Sequence, residues 1–370
     1  MRILMRDPTL QTRGPLPYTE ARVVMRCNGV HAWEVTVNAN SRQWERWRDG
    51  WGIVLIEDGV LLSGPAHEIT YHADGRSKSR TVTLRGLSEM RHLEGSLVIP
   101  DPQSPTGQGA AWTANGPAET VLHRLVREQI GPDAPDFYRV PGLVMEPDRG
   151  RGEPVSMSAR FTNLLDEVQE QLTAGGLVMD IVQDGRQLVT RFRAPKDLTR
   201  RVKLSRVNGG VGEYTLTRTA PTVTEAIAGG QGEGSARVLY RQAVDPGPWG
   251  LRTTVFLDRG SSSRSEELQQ AVRTALEEGQ ETASVTFEAR SLPHRRFGRD
   301  FHLGDRITVD LDHPVTEPVQ IAELHWDHTG RTEKLQVGPV ADETQLNQAS
   351  GRLVEWARAA SKQLRELQTR

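Results

Sequence analysis

Between residue 33 and residue 85 the chain holds three runs that alternate apolar and polar residues with a period of two. Trp33, Val35 and Val37 alternate with Glu34 and Thr36, Ile69 and Tyr71 with Glu68, Thr70 and His72, and Val82 and Leu84 with Thr81, Thr83 and Arg85. Extended backbone puts successive side chains on opposite faces, so these runs predict strands with one face on a core and the other in water. Asp58-Gly59 and Asp74-Gly75 fall between the runs. Glycine accepts positive φ, which makes such dipeptides hairpin turns. Short strands with a turn roughly every ten residues predict a small barrel or sandwich.

The pattern returns at 304–338, with Ile307, Val309 and Leu311, then Leu324 and Trp326, then Leu335 and Val337. Glu68-Ile69-Thr70-Tyr71-His72-Ala73-Asp74-Gly75-Arg76 aligns without gaps on Glu323-Leu324-His325-Trp326-Asp327-His328-Thr329-Gly330-Arg331. Downstream, Val82 and Leu84 match Leu335 and Val337; upstream, Gly52 matches Gly304. Any two hairpins share some of this; the alternative is one barrel duplicated within the chain, its second copy split by an insertion. Two similar barrels in each of three chains could close a pseudo-sixfold ring.

The region between reads differently. Val98-Ile99-Pro100-Asp101-Pro102 opens a Ser/Pro/Gly/Gln stretch to residue 116 that reads as a linker. Asn115 or Gly116 can cap a helix bearing Val121, Leu122, Leu125, Val126 and Ile130. A second helix after Ser158 carries Phe161, Leu164, Leu165, Val168 and Leu172, and a third from about Ser263 carries Leu268, Ala271, Val272, Ala275 and Leu276. The expected fold is β-rich α+β: two similar tube-type β-barrel domains, a middle α+β region and a C-terminal helix. The expected boundaries are 1–100 for the first barrel, 101–199 and 221–290 for the α+β region, 200–220 and 291–340 for the second barrel, and 341–370 for the helix.

At 370 residues the chain is long enough for two or three domains. Lys+Arg is 46 and Asp+Glu is 48, so the excess of cations needed by a general nucleic-acid coat or polybasic membrane binder is missing. No apolar run is long enough to span a bilayer, and Met1–Pro8 has no signal core. The single cysteine, Cys27, makes neither an internal disulfide nor a cysteine-based zinc site.

Four segments carry a resemblance. They are Trp51–Ile56 through Leu62-Ser63-Gly64-Pro65, Val98–Pro102, Ala228-Gly229-Gly230-Gln231-Gly232-Glu233-Gly234 followed by Arg237, and Leu303-Gly304-Asp305-Arg306-Ile307-Thr308-Val309. In order and spacing they resemble the siphophage tail-tip (baseplate) hub family, similar in fold to the central hub of contractile phage tails. The resemblance covers most of residues 20–340. It implies a non-enzymatic homotrimer at the virion tail tip, assembled in the bacterial host cytoplasm, that adapts a sixfold tube to threefold components and lets DNA pass. The implied partners are a distal tail protein ring, the tape-measure protein and a tail fibre, spike or lysin component, with DNA only as cargo and no membrane insertion.

The residues themselves offer little chemistry, and no catalytic, cofactor or metal site is expected. Gly229–Gly234 has no lysine and precedes a strand, so it lacks the context of a phosphate loop. His325, Asp327 and His328 offer at most two ligands on one strand face. Glu57-Asp58 and Glu277-Glu278 are adjacent acids, not a pair facing across a substrate. Trp44, Trp47 and Trp51, interleaved with arginines, suit a subunit interface; packing in the core and stacking of sugars or bases are the alternatives. Leu346, Leu353, Ala360 and Leu367 recur every seven residues beside Trp356, a seam for a threefold bundle, a docked partner or the chain itself. The second functional reading is a carbohydrate-binding or glycan-processing β-rich protein, with Glu57, Asp58 and Glu68 beneath the tryptophans.

Overall fold

The computed structural model describes residues 1–73, 80–104, 109–232, 234–258, 265–290, 292, 294–340 and 348–368. They form two compact units, one of residues 1–214 and 286–370, the other Thr215–Val285. The first unit begins with β1 (Arg2–Arg6), β2 (Thr12–Pro15), β3 (Glu20–Arg26), β4 (Ala32–Asn38), β5 (Gly52–Glu57), β6 (Val60–Ala73) and β7 (Arg80–Leu87). It continues with α1 (Arg91–Glu94), β8 (Trp112–Pro117), α2 (Ala118–Gln129), β9 (Leu143–Met145), β10 (Pro154–Ala159), α3 (Leu164–Ala174), β11 (Val178–Asp184), β12 (Gln187–Arg193) and β13 (Lys203–Ser205). The chain leaves along β14 (Val211–Thr219) for β15 (Glu225–Gly229), β16 (Leu239–Ala243), β17 (Thr254–Asp258) and α4 (Ser265–Glu278). It returns along β18 (Thr282–Ala289) to β19 (Arg306–Asp310), β20 (Val315–Asp327), β21 (Gly330–Val337) and α5 (Gln348–Gln368).

The main sheet is an open path, β14-β18-β21-β20-β3-β4-β7-β6-β5-β1-β2, with β19 joined to β20 and β13 to β19. Among the described residues no sheet closes, so the two expected tube-type β-barrels are corrected to one open sheet. Alternation reports strands and faces but not closure. The β2 end shows why this edge does not close: its four residues are mostly exposed and include Pro15, which has no N–H to give a further strand.

The repeat is a duplicated corner. β6 pairs with β5 along Val60–Pro65 and with β7 along Ala66–Ala73, with a register shift between Ala66 and Glu68. β20 pairs with β19 along Val315–Pro318 and with β21 along Val319–Asp327, with a shift between Val319 and Ile321. In both places one extra residue bends a long strand from one neighbour to the next. The return strands do not match as expected. Counted from the two register shifts, Ala66 opposite Gly86 matches Val319 opposite Val337, and Ile69 opposite Leu84 matches Ala322 opposite Leu335, so Leu84 corresponds to Leu335 and not to Val337. The second hairpin turns tightly, with Asp327 opposite Gly330, whereas Gly75 lies outside the described residues.

Helices α2 and α3 pack on the small sheets β8–β10 and β9–β12–β11, with Val121, Leu122, Leu125, Val126, Leu164, Leu165, Val168 and Leu172 all buried. Asn163 caps α3 by accepting from Leu165 N at 3.0 Å and Asp166 N at 3.2 Å. A Cβ on Gly175 would sit 2.1 Å from the Ala118 Cβ, so glycine is what lets the end of α3 meet the start of α2. Two expectations change here. Part of the supposed linker is β8, paired with β10. Phe161 precedes the helix at φ 53° and is exposed, so it is not on the α3 stripe.

In the second unit, Leu268, Val272 and Leu276 of α4 cover Ala226 and Ala228 of a three-stranded sheet, β16-β15-β17. No described helix is long and apolar enough to cross a membrane.

Candidate functional site

The register of the main sheet sorts its residues by face. Val23, Val35, Leu84 and Leu324 share one face and are fully buried. The opposite face carries a row of charged residues directly across five strands: His325, Arg22, Glu34, Arg85 and Glu68. Their signs largely alternate, and they pair. Arg85 donates to Glu34 at 2.6 Å and to Glu68 at 2.7 Å. Glu20 accepts from Arg22 and lies 2.9 Å from His325 Nε2. The next rows are Thr36, Thr83 and Thr70, then Asn38, Thr81 and His72. This part of the face is half-exposed and hydrogen-bonding, with its central cation already held by two carboxylates.

Further along the same face the residues turn apolar, and α5 covers them. Leu353, Val354 and Ala357 are buried with Val24, Ala32, Leu87 and Ile321, and Trp356 packs alongside, half-buried. The helix end is tied down by Arg365 to Asp166 at 2.9 Å and by Gln368, which accepts from Asn163 Nδ2 at 2.9 Å. Ala360 is half-buried; Leu346 lies outside the described residues, and Leu367 sits in the last turn of the helix. The middle of the heptad seam therefore packs on its own chain.

The three tryptophans come together in the segment after β4. Trp44 and Trp47 stack with ring centroids 5.7 Å apart, and Trp47 meets Trp51 at 6.2 Å. Trp47 is buried, while Trp44 and Trp51 are half-buried. The sequence reading left out Tyr71, which meets Trp44 edge-on at 6.1 Å. Its match to Trp326 in the repeat was the available signal.

The other candidate residues are engaged structurally. Glu57 accepts from Trp326 Nε1 at 2.5 Å and lies 3.4 Å from both Arg331 and the N-terminal ammonium. Asp58 pairs with Arg296 at 2.6 Å. Neither acid pairs with the other or lies among the tryptophans. Glu277 and Glu278 are exposed at the end of α4. The glycine-rich loop joins β15 to β16, and Arg237 ties it by donating to Gly230 O at 3.0 Å and Gly229 O at 3.1 Å. Asp327 accepts from Thr329 N and Oγ1, which holds its carboxyl below the ordinary value. Among the described residues no group of three or more His, Cys, Asp or Glu could hold a metal ion.

Asp305 of the Leu303-Gly304-Asp305 motif is 1% exposed. Burial alone would raise its pKa, but His302 N, Lys196 N and Arg193 all donate to it and hold it at about 2. The motif is a clasp between the end of β12 and the start of β19. A cavity of about 310 Å³ lies beside it, lined by both apolar and charged residues, among them His31, Asp180, Arg193, Phe297 and Leu303.

Comparison with known proteins agrees with this architecture. A family profile described as siphovirus ReqiPepy6 Gp37-like protein matches residues 1–339. The 43 kDa tail protein of prophage MuSo2 from Shewanella oneidensis superposes with a TM-score of 0.59 at 12% identity, over 91% of this chain and 98% of that one. The tail protein from Neisseria meningitidis MC58 gives 0.56 at 12% identity, over 91% and 96%. Prophage tail protein gp18 from Listeria monocytogenes EGD-e gives 0.52 at 11% identity, over 95% and 97%. No curated protein matches the sequence. At these identities the structural likeness is one of fold.

Proposed function

The chain belongs to the siphovirus ReqiPepy6 Gp37-like family, and from that premise we propose that it is a structural hub of a phage tail tip. In this reading three copies surround the tail axis. Each contributes two related units, so the ring has pseudo-sixfold symmetry toward the tube and threefold symmetry toward the tip. A distal tail protein ring lies on one side and a fibre, spike or lysin component on the other. The tape-measure protein ends in the lumen, and DNA passes through it. The chain acts at the virion tail tip, without catalysis, after assembly in the host cytoplasm.

The observation that carries this is the duplicated corner, which repeats one bent-strand arrangement within one continuous sheet. The polar face agrees with a lumen. DNA binds where lysine and arginine neutralise phosphates, and Arg85 on this face is already neutralised by Glu34 and Glu68. The test is particle mass across a concentration series, with electron microscopy of the same sample. A three-copy ring whose hole is lined by the row from His325 to Glu68 supports the reading. A discrete dimer, or a ring lined by the opposite face, overturns it.

A further inference from the structure

The β9–β12–β11 sheet buries Met179, Ile181 and Leu188 of one face with α2 and α3. Its other face looks into the cavity of about 310 Å³ beside the Asp305 clasp. Register fixes what that face carries. Asp180 lies opposite Arg191 and Val178 opposite Arg193, so two arginines and a carboxylate stand among Val178 and Val182. Val60, Phe297 and Leu303, all buried, add an apolar lining. A mostly apolar cavity of this volume with a few convergent polar groups has the make-up of a small-molecule site.

We propose that this cavity binds a small organic carboxylate with an aromatic or aliphatic stem. Charge selects the carboxylate. Three arginines, Arg26, Arg191 and Arg193, line the cavity against two acids, Glu146 and Asp180. Both acids are engaged. Glu146 lies 3.5 Å from Arg191 Nε. Arg26 N donates to His31 Nδ1 at 3.1 Å, so the hydrogen of the neutral ring sits on Nε2, 3.4 Å from Asp180. An ammonium ligand would meet three cations and two acids already in use. Arg191 Nε, in contrast, is buried and makes no hydrogen bond. A buried donor without an acceptor costs free energy, and a ligand carboxylate supplies the acceptor where a neutral ligand does not. Arg193 is held at the wall by donating to Asp305 at 2.7 Å. The site is also preorganised. Asn28, at φ 53°, donates to Leu177 O at 3.0 Å and accepts from Met179 N at 3.0 Å, tying the β3–β4 connection to the start of β11. Arg191 and His302 are half-exposed and mark the way in. The volume equals that of about ten waters, room for one small acid and too little for a peptide. None of this depends on how many copies the particle holds.

The test is titration of the full chain, isotope-labelled at its valine and leucine methyls, with 3-phenylpropionate. 3-Phenylpropanol and 3-phenylpropylamine, which share the stem, are the comparison probes. The carboxylate should bind at least about tenfold more tightly than either, the margin a charge-assisted hydrogen bond supplies. It should shift the methyl resonances of Val60, Val182 and Leu303 first and raise the melting temperature with concentration. Arg191→Gln should weaken binding by about tenfold or more. Arg186→Gln, in the exposed β11–β12 turn, should leave it unchanged. If Arg191→Gln fails to fold, the three probes and the methyl map of the parent chain decide alone. Methyl shifts centred elsewhere, or none at any concentration, overturn the site. An alcohol or amine that binds as tightly as the acid overturns the ligand class, as does full binding by a folded Arg191→Gln.

Discussion

Trp326 and Tyr71, matched in the gapless alignment of the two corner strands, differ sharply in burial: Trp326 is 3% exposed and Tyr71 69%. Both follow the same alternation, both sit beyond a bulge, and both strands pair with a return strand. The difference lies in the neighbours. Trp326 has β3 beside it, donates to Glu57, and has the Arg331 guanidinium 5.8 Å from its ring centroid. Tyr71 has Trp44. The pattern along a strand chooses a face; the adjacent strand decides whether that face is buried. Trp326→Ala should therefore cost about 3–5 kcal/mol, and Tyr71→Ala within about 0.5 kcal/mol in the monomer. Urea unfolding of both variants measures this, and equal losses would break the comparison.

The polar-side face divides in a similar way, between an open charged row and an apolar end under α5. Leu353 is fully buried there among Val24, Ala32, Leu87 and Ile321. Leu353→Ala should cost about 2–4 kcal/mol, read by thermal or urea unfolding. The particle mass should be unchanged, because this side chain packs within its own subunit. A loss of association without loss of stability would instead place the seam between subunits.

The two corners also differ in how they are anchored at their start, and the second depends on Asp305. Its folded pKa of about 2 lies below the ordinary 3.8, so the unfolded chain takes up this proton first as pH falls. The clasp's full contribution is present above the unfolded value and is lost as pH drops from about 4 to about 2. A shift of this size corresponds to about 2 kcal/mol. Asp305→Asn should flatten that part of the stability profile, as measured by urea unfolding at successive pH values. An unchanged profile would remove the clasp.

Much of this was legible in the residues. Period-two runs placed strands β4, β6, β7, β19, β20 and β21, and apolar stripes placed α2, α3 and α4. The gapless alignment of Glu68–Arg76 on Glu323–Arg331 pointed to the duplication. Closure was not legible, because alternation is a property of one strand and a barrel needs its two end strands to pair. The return strands were mismatched because the two hairpin connections differ in length, and register follows the connection. The charged row was hidden for a related reason: Arg22, Glu34, Glu68, Arg85 and His325 are far apart in the chain and meet only through register. Leu353 was found by its spacing, but spacing could not say whether it faces its own sheet or another subunit.

The smallest expected change in stability tests that row. On the β6 side of the sheet Arg85 is held by two carboxylates, and on the β20 side Glu20 is shared by Arg22 and His325. Glu34→Gln with Glu68→Gln keeps both side-chain shapes and frees one arginine on the β6 side alone. Half-exposed pairs are worth little, so folding stability should fall by no more than about 1 kcal/mol. Nucleic-acid affinity should respond more visibly. A freed cation can release a counterion from a phosphate, so the double variant should bind duplex DNA at low salt, with a log–log salt slope near one per contacting arginine. The parent chain should show no such binding, and Glu20→Gln should do less, since it loosens only the β20 side. Fluorescence anisotropy with a labelled duplex at several salt concentrations measures both. If the double variant stays as inert as the parent, paired charge is not what keeps this face from holding DNA, and the threonine and asparagine rows beside it must suffice.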